Sequence, residues 1–242
     1  MSRPESDPVS VLPSAMGRPL AFLLSLFFLS AAAFSQPTQD GAWAETQAFR
    51  DAAAVRYRAI LGGLGARRAL DDDDAARERV RRIAAGLIIA AAAERPDTAA
   101  WSWEVHVTSD PAQGAFCMAG GKVLVGSVLV RRLALDDGEL AMLLGHEMGH
   151  ALASHRREVA RGSIDTDAAA EVRQAELAMA QEVEADRIGM RLAYRAGWPV
   201  ASLVSFYDKL AAVEQPGTFN SSHPSAASRA ALAKAMAAKL GD

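Results

Sequence analysis

The fold predicted from this sequence depends most on residues 140–155, LAMLLGHEMGHALASH. The first five of them are apolar, and the acidic residues within 136–139 (DDGE) are typical of a helix start. We therefore expect a helix that runs to about Arg157. Two histidines and a glutamate on such an apolar helix would be costly to bury without a ligand. The segment thus predicts a metal site as well as a helix.

The pattern His-Glu-x-x-His gives this helix its chemistry. His146 and His150 are four residues apart, so they differ by about 40° around the helix and can hold one ion at about 2.0–2.1 Å. Glu147 lies about 100° from His146, too far round to bind the same ion but near enough to reach a water beside it. The spacing predicts a zinc site with Glu147 as the general base.

A third protein ligand is expected from the next long helix, between about residues 165 and 197. The segment EVEAD places Glu182 and Asp186 four residues apart on one face of that helix. Glu182 is the candidate third zinc ligand, and Asp186 can accept the free N–H of a ligating histidine. Glu184 falls about 200° from Glu182, and we interpret it as a solvated surface charge.

The composition excludes several other classes of protein. The chain has 242 residues, of which 50% are hydrophobic and 23% charged, so it can bury a core and is not expected to be disordered. The 26 basic and 29 acidic residues give a net charge of −3, which makes nucleic acid an improbable partner. The single cysteine, Cys117, rules out an intramolecular disulfide and a cysteine-rich zinc module, and we expect it to be a buried small side chain.

The N-terminal residues 1–35 have the pattern of a signal peptide. A basic residue precedes the apolar run 20–34 (LAFLLSLFFLSAAAF), which is too short to span a bilayer comfortably and ends in small residues. We expect an exported protein, most simply in the bacterial periplasm. The alternative is an uncleaved anchor that holds the protein in a membrane, facing the periplasm.

The remaining residues, 36–242, predict one mainly helical α+β domain. Residues 42–95 form a helical N-terminal part, and residues 100–235 form the catalytic core. Within the core, alternation at 101–107 and short apolar runs at 115–118 and 122–125 predict a small three-stranded sheet. Further helices are expected over about 200–213 and from Pro224 to about Leu240.

These motifs together resemble the HExxH zinc metallopeptidase family of HtpX-like gluzincins, which includes the Ste-type CAAX prenyl endopeptidases, HtpX, and the periplasmic BepA and LoiP proteases. The resemblance spans about residues 103–229 and includes GGKVLV at 120–125, EVEADRIGMRLAYRAGW at 182–198 and SHP at 222–224. It implies a zincin-like metallopeptidase domain that hydrolyses peptide bonds and binds one Zn²⁺ per chain.

The resemblance also implies roles for individual residues. The family's zinc ligands, general base and outer carboxylate fall on the residues already named. His223 and Arg229 match residues close to the zinc in relatives, and their prediction as catalytic residues rests on the resemblance alone. His155 echoes the family sequence too, but it lies about 180° round the helix from His146, so we interpret it as structural.

The expected substrates are unfolded or misassembled proteins and peptides, which fits a role in protein quality control at the cell envelope. The resemblance implies that a substrate lies extended along a sheet edge, predicted at residues 122–127. Gly114 and Ala119 stand where the family often has asparagine and proline, and both departures fall on the substrate side.

Two other functions remain open from the sequence. One is a catalytically latent, zinc-bound binding module for misfolded proteins, although a pure binder would not need Glu147. The other is a different zinc hydrolase class, such as the deformylases or metzincins. These would require a cysteine ligand or a third histidine at a spacing that this chain lacks.

Overall fold

The computed structural model describes residues 47–155, 168–213 and 226–240. Its helices are α1 (Gln47–Ala66), α2 (Asp74–Glu94), α3 (Ser127–Arg132), α4 (Asp137–Leu152), α5 (Ala168–Arg195), α6 (Val200–Val213) and α7 (Ala226–Leu240). Its strands are β1 (Glu104–Thr108), β2 (Ala115–Met118) and β3 (Lys122–Gly126). The predicted mainly helical α+β fold with a three-stranded sheet is confirmed.

The apolar run at 20–34 lies outside the described residues, and none of the described helices is long and apolar enough to cross a bilayer.

The starts of α2 and α4 are fixed by acidic caps. Asp73 caps α2 by accepting from the backbone N–H of Ala76 at 2.9 Å. Asp136 and Glu139 form a reciprocal capping box at the start of α4, with bonds of 2.8 and 2.7 Å. Such caps satisfy backbone N–H groups that have no partner within the helix. They account for the acidic runs that the sequence places before both helices.

One helix boundary differs from the prediction. The helical N-terminal part comprises two helices, since the backbone between α1 and α2 turns at Arg68 and Asp71, which have φ of 56° and 50°. The active-site helix α4 ends at Leu152 rather than near Arg157. Ser154, two residues beyond its end, has φ of 58°, a left-handed conformation that cannot continue an α-helix.

The sheet has the order β1-β3-β2. β3 pairs with β2 as an antiparallel hairpin and with β1 in parallel, so it is the central strand. The prediction of a substrate-binding edge at residues 122–127 is therefore wrong. Gly120 and Gly121, with φ of 73° and 80°, make the tight turn between β2 and β3, and β3 then uses its other side to pair with β1. The edge strand that packs against α4 is β2.

Both faces of the sheet are covered by helices. Residues that alternate along β2 and β3 point to opposite sides. On one side, Phe116, Met118 and Leu124 pack with α1 around the buried Tyr57, which donates a hydrogen bond to the carbonyl of Val123. The other side joins the main core, which α2 and α4 share with residues that include Val123, Val125 and Cys117. Cys117 is 1% exposed, in agreement with its prediction as a buried small side chain.

Candidate metal centre

The metal centre lies where α4 crosses α5, and glycines allow the two helices to approach backbone to backbone. A Cβ atom on Gly145 would lie 2.7 Å from the carbonyl oxygen of Gly189. A Cβ atom on Gly149 would lie 2.7 Å from the carbonyl oxygen of Ala185. Because Gly145 and Gly149 are four residues apart, they share one face of α4. This close crossing holds the histidines of α4 opposite the carboxylates of α5, and the two glycines of α4 were not among the residues predicted to form the site.

The three predicted zinc ligands come together at this crossing. His146 Nε2 lies 3.1 Å from His150 Nε2 and 3.5 Å from a carboxylate oxygen of Glu182. His150 Nε2 lies 3.3 Å from the other oxygen of Glu182. In a tetrahedral zinc site with bonds of about 2.0–2.1 Å, ligand atoms are about 3.3 Å apart. The described side chains therefore fit a zinc ion held by three protein ligands.

His146 is oriented by a buried network behind it. Its Nδ1 lies 2.8 Å from Asp186, which is 1% exposed, so an Nδ1–H donated to this carboxylate leaves the Nε2 lone pair for a metal. Arg229 donates two hydrogen bonds to Asp186, at 2.9 and 2.6 Å. Burial alone would raise the pKa of Asp186, but the hydrogen bonds from Arg229 and His146 outweigh it and hold that pKa well below its usual range.

Arg229 is placed in the site, where its guanidinium faces carboxylates and its Nη2 also lies 3.2 Å from Nδ1 of His146. Besides its two bonds to Asp186, it lies 3.5 Å from Glu182. It also sits over the ring of Tyr207, 5.5 Å from the centroid, and Tyr207 is fully buried. Burial is the main cause that raises the pKa of the Tyr207 hydroxyl. Tyr207 was missed from the sequence, where it is one of several apolar residues on α6.

The second motif histidine has a different set of neighbours. His150 Nδ1 lies 2.9 Å from His155 Nδ1, and His155 Nε2 lies 3.2 Å from Glu184. The prediction that His155 lies far from the metal ligands is wrong, because it assumed that α4 continues to about Arg157. The chain leaves α4 after Leu152, and the turn at Ser154 brings His155 back to His150. Glu184, interpreted as a solvated charge, is half exposed and contacts His155.

Of the two other predicted catalytic residues, Glu147 is among the described residues and His223 is not. Glu147 is 4% exposed and follows His146 directly on α4, so it is buried at the level of the proposed ligands. His223 lies outside the described residues, and its role stays a prediction.

The pattern that defines peptidase family M48 matches this chain over residues 74–166 and 159–237, which together include every described residue of the metal centre. The chain belongs to peptidase family M48. Membership of this family makes it a zinc metallopeptidase and confirms the family that the motifs predicted.

This M48 chain is similar to curated OMA1 enzymes. The mitochondrial metalloendopeptidase OMA1 of Arabidopsis thaliana is 32% identical over 151 residues, which cover 54% of this chain and 31% of the relative. The Schizosaccharomyces pombe enzyme of the same name is 30% identical over 150 residues, 52% of this chain and 44% of the relative. The Saccharomyces cerevisiae enzyme is 45% identical over 58 residues, which cover 23% of this chain and 16% of the relative. The matched region is less than half the length of each of these relatives.

These relatives confirm one prediction and correct two others. The prediction of a zinc metalloendopeptidase is confirmed by the family and by the names of the relatives. The matches carry the OMA1 name rather than those of the Ste-type, HtpX, BepA or LoiP enzymes. The predicted location in or facing the bacterial periplasm is wrong, because the relatives are named as mitochondrial enzymes. They give no support to the signal peptide predicted at residues 1–35.

Proposed function

We propose that this chain cleaves peptide bonds within unfolded or misassembled proteins, with His146, His150 and Glu182 as its zinc ligands. The observation that carries the proposal is the closeness of the ligand groups: the Nε2 atoms of His146 and His150 lie 3.1 Å apart, and each lies 3.3 to 3.5 Å from one of the two carboxylate oxygens of Glu182. The buried carboxylate of Glu147, one residue beyond His146, adds the base that hydrolysis needs.

The proposed reaction is the addition of water to a peptide carbonyl. Zinc bound at this site supplies a Lewis acid that polarises the carbonyl and lowers the pKa of water. Glu147 takes a proton from the attacking water as its oxygen bonds to the carbonyl carbon. Glu147 then transfers this proton to the departing nitrogen as the C–N bond breaks, which releases an amine and a carboxylic acid.

We assign Asp186 and Arg229 positioning roles in this reaction. Asp186 fixes the proton of His146 on Nδ1, and Arg229 neutralises the buried carboxylate. Arg229 was predicted as a catalytic residue, but its two hydrogen bonds to Asp186 favour an indirect role. His223 remains a proposed contributor on resemblance alone.

The proposed place for the substrate is the outer edge of β2. Within the described sheet, β2 pairs only with β3, and it packs against the active-site helix α4. An extended polypeptide that pairs with this edge would gain backbone hydrogen bonds whatever its sequence. Such sequence-tolerant binding suits substrates that expose backbone because they have not folded.

The test is cleavage of casein by the purified zinc-loaded full chain, compared with Glu147→Gln. We expect both proteins to hold one zinc ion, and the variant to lose about 10²–10⁴-fold in rate because it lacks the general base. Glu176→Gln, an exposed glutamate on α5, is the matched control and should cleave at the parental rate. Parental activity in Glu147→Gln, or no cleavage by the zinc-loaded parent, would contradict the proposal.

A further inference from the structure

The two ring nitrogens of His150 face different partners. Its Nε2 lies among the proposed ligand atoms, 3.1 Å from His146 and 3.3 Å from Glu182. Its Nδ1, on the other side of the ring, lies 2.9 Å from the Nδ1 of His155. The remaining nitrogen of His155, Nε2, lies 3.2 Å from the carboxylate of Glu184. A continuous chain of polar contacts thus runs from Glu184 through His155 to His150.

The contacts fix one arrangement of protons for two neutral rings. A histidine that binds a cation through Nε2 carries its proton on Nδ1. The Nδ1–H of His150 then donates to Nδ1 of His155, which accepts because its own proton is on Nε2. That Nε2–H donates in turn to the carboxylate of Glu184. Every donor has an acceptor, and the Nε2 lone pair of His150 stays directed at the ligand cluster.

Burial and backbone geometry support a fixed position for His155. The residue is 3% exposed, and its ring meets that of His150 at 76° with centroids 5.1 Å apart. The turn at Ser154 places His155 beside His150, and the φ of 58° at Ser154 is one that L-residues rarely adopt. Glu184 comes from α5, the helix that also carries Glu182. The chain of contacts therefore joins the same two polypeptide segments as the proposed ligands do.

We propose that His155 and Glu184 are positioning residues that hold the His150 ring and its proton for metal binding. This inference rests on the proposed zinc site and assigns His155 a role that was not predicted from the sequence. Glu184 acts on His150 through the imidazole of His155, whereas Asp186 contacts His146 directly. Outer partners of metal-bound histidines typically change metal affinity by about 10–100-fold when removed.

The test is the rate of zinc release from the full chain to a chromophoric chelator. His155→Leu, which has no acceptor for the His150 proton, should release zinc about 10–100-fold faster than the parent. His155→Asn keeps an acceptor close to the position of Nδ1 and should recover part of the loss. Substitution of Co²⁺ for zinc gives a second readout, since a displaced His150 ring would change the cobalt absorption bands.

Further variants separate positioning from folding. Glu184→Ala changes a half-exposed side chain and should release zinc up to about tenfold faster, with the circular dichroism of the parent. Glu176→Ala, at an exposed glutamate of the same helix, should leave the rate unchanged. Parental release rates and cobalt spectra in both His155→Leu and Glu184→Ala would overturn the inference. A parent that binds zinc but cleaves no casein would refute the proposed function, while these rates would still decide the role of His155.

Discussion

The two histidines of the metal centre have the same proposed task, but their outer partners differ in burial. Behind His146, Asp186 is 1% exposed and is bonded twice to the buried Arg229. Behind His150, the carboxylate is Glu184, with a side chain 56% exposed, and it acts through His155. A charge in water loses little when its partner is removed, but a buried charge left alone is strongly destabilising. The His146 half should therefore matter for folding as well as metal binding, and the His150 half mainly for metal binding.

The largest effect is expected from Asp186→Asn. The change removes the negative charge to which the buried Arg229 donates two hydrogen bonds and leaves its guanidinium with the longer, 3.5 Å contact to Glu182, which costs up to about 3–5 kcal/mol of unfolding free energy. Zinc affinity should also fall by about 10–100-fold because the His146 proton loses its strongest acceptor. Denaturant unfolding and chelator competition measure the two effects. If Asp186→Asn and Glu184→Ala had the same unfolding free energy, the partners of His146 and His150 would not differ in their effect on folding.

A smaller effect on stability is expected from Gly149→Ala, which tests the crossing that both halves share. The new Cβ would lie 2.7 Å from the carbonyl oxygen of Ala185, so α4 and α5 must move apart. Overpacking of this kind costs about 1–3 kcal/mol, and the displaced ligands should bind zinc less tightly. Thermal unfolding of the apo and zinc-loaded protein would measure both.

Gly62→Ala is the matched control for that change. Gly62 lies in α1, and a Cβ atom there would meet nothing within 4 Å. Replacing such a helical glycine should stabilise the protein by about 0.5–1 kcal/mol. If both alanine variants had the same stability, close packing of α4 on α5 would not explain the geometry of the site.

Much of the fold and the site was predictable because the signals are local. Acidic caps mark the starts of α2 and α4, and the helix predicted over 200–213 coincides with α6. The four-residue spacings His146–His150 and Glu182–Asp186 place side chains on one face of a helix whatever the tertiary structure. Packing of α4 on α5 is then enough to bring the histidine pair and the carboxylate pair together.

The features that were not predicted from the sequence depend on distant or non-helical contacts. The central position of β3 follows from its parallel pairing with β1, and no local pattern distinguishes a central strand from an edge of that length. His155 was misplaced because a helical angle was applied beyond the end of α4 at Leu152. Gly145 and Gly149 could have been noticed, since two glycines four apart beside the motif histidines indicate a close helix contact.

The most direct test of the account is X-ray absorption at the zinc edge on the purified full chain, together with the zinc content of Glu182→Ala. The account predicts two imidazole nitrogens at about 2.0–2.1 Å, oxygen donors and no sulfur at about 2.3 Å. It also predicts that Glu182→Ala loses its zinc, since two histidines remain from the three described ligands. A sulfur donor, for which Cys117 is the only cysteine, or full zinc occupancy in Glu182→Ala would contradict the proposed ligand set.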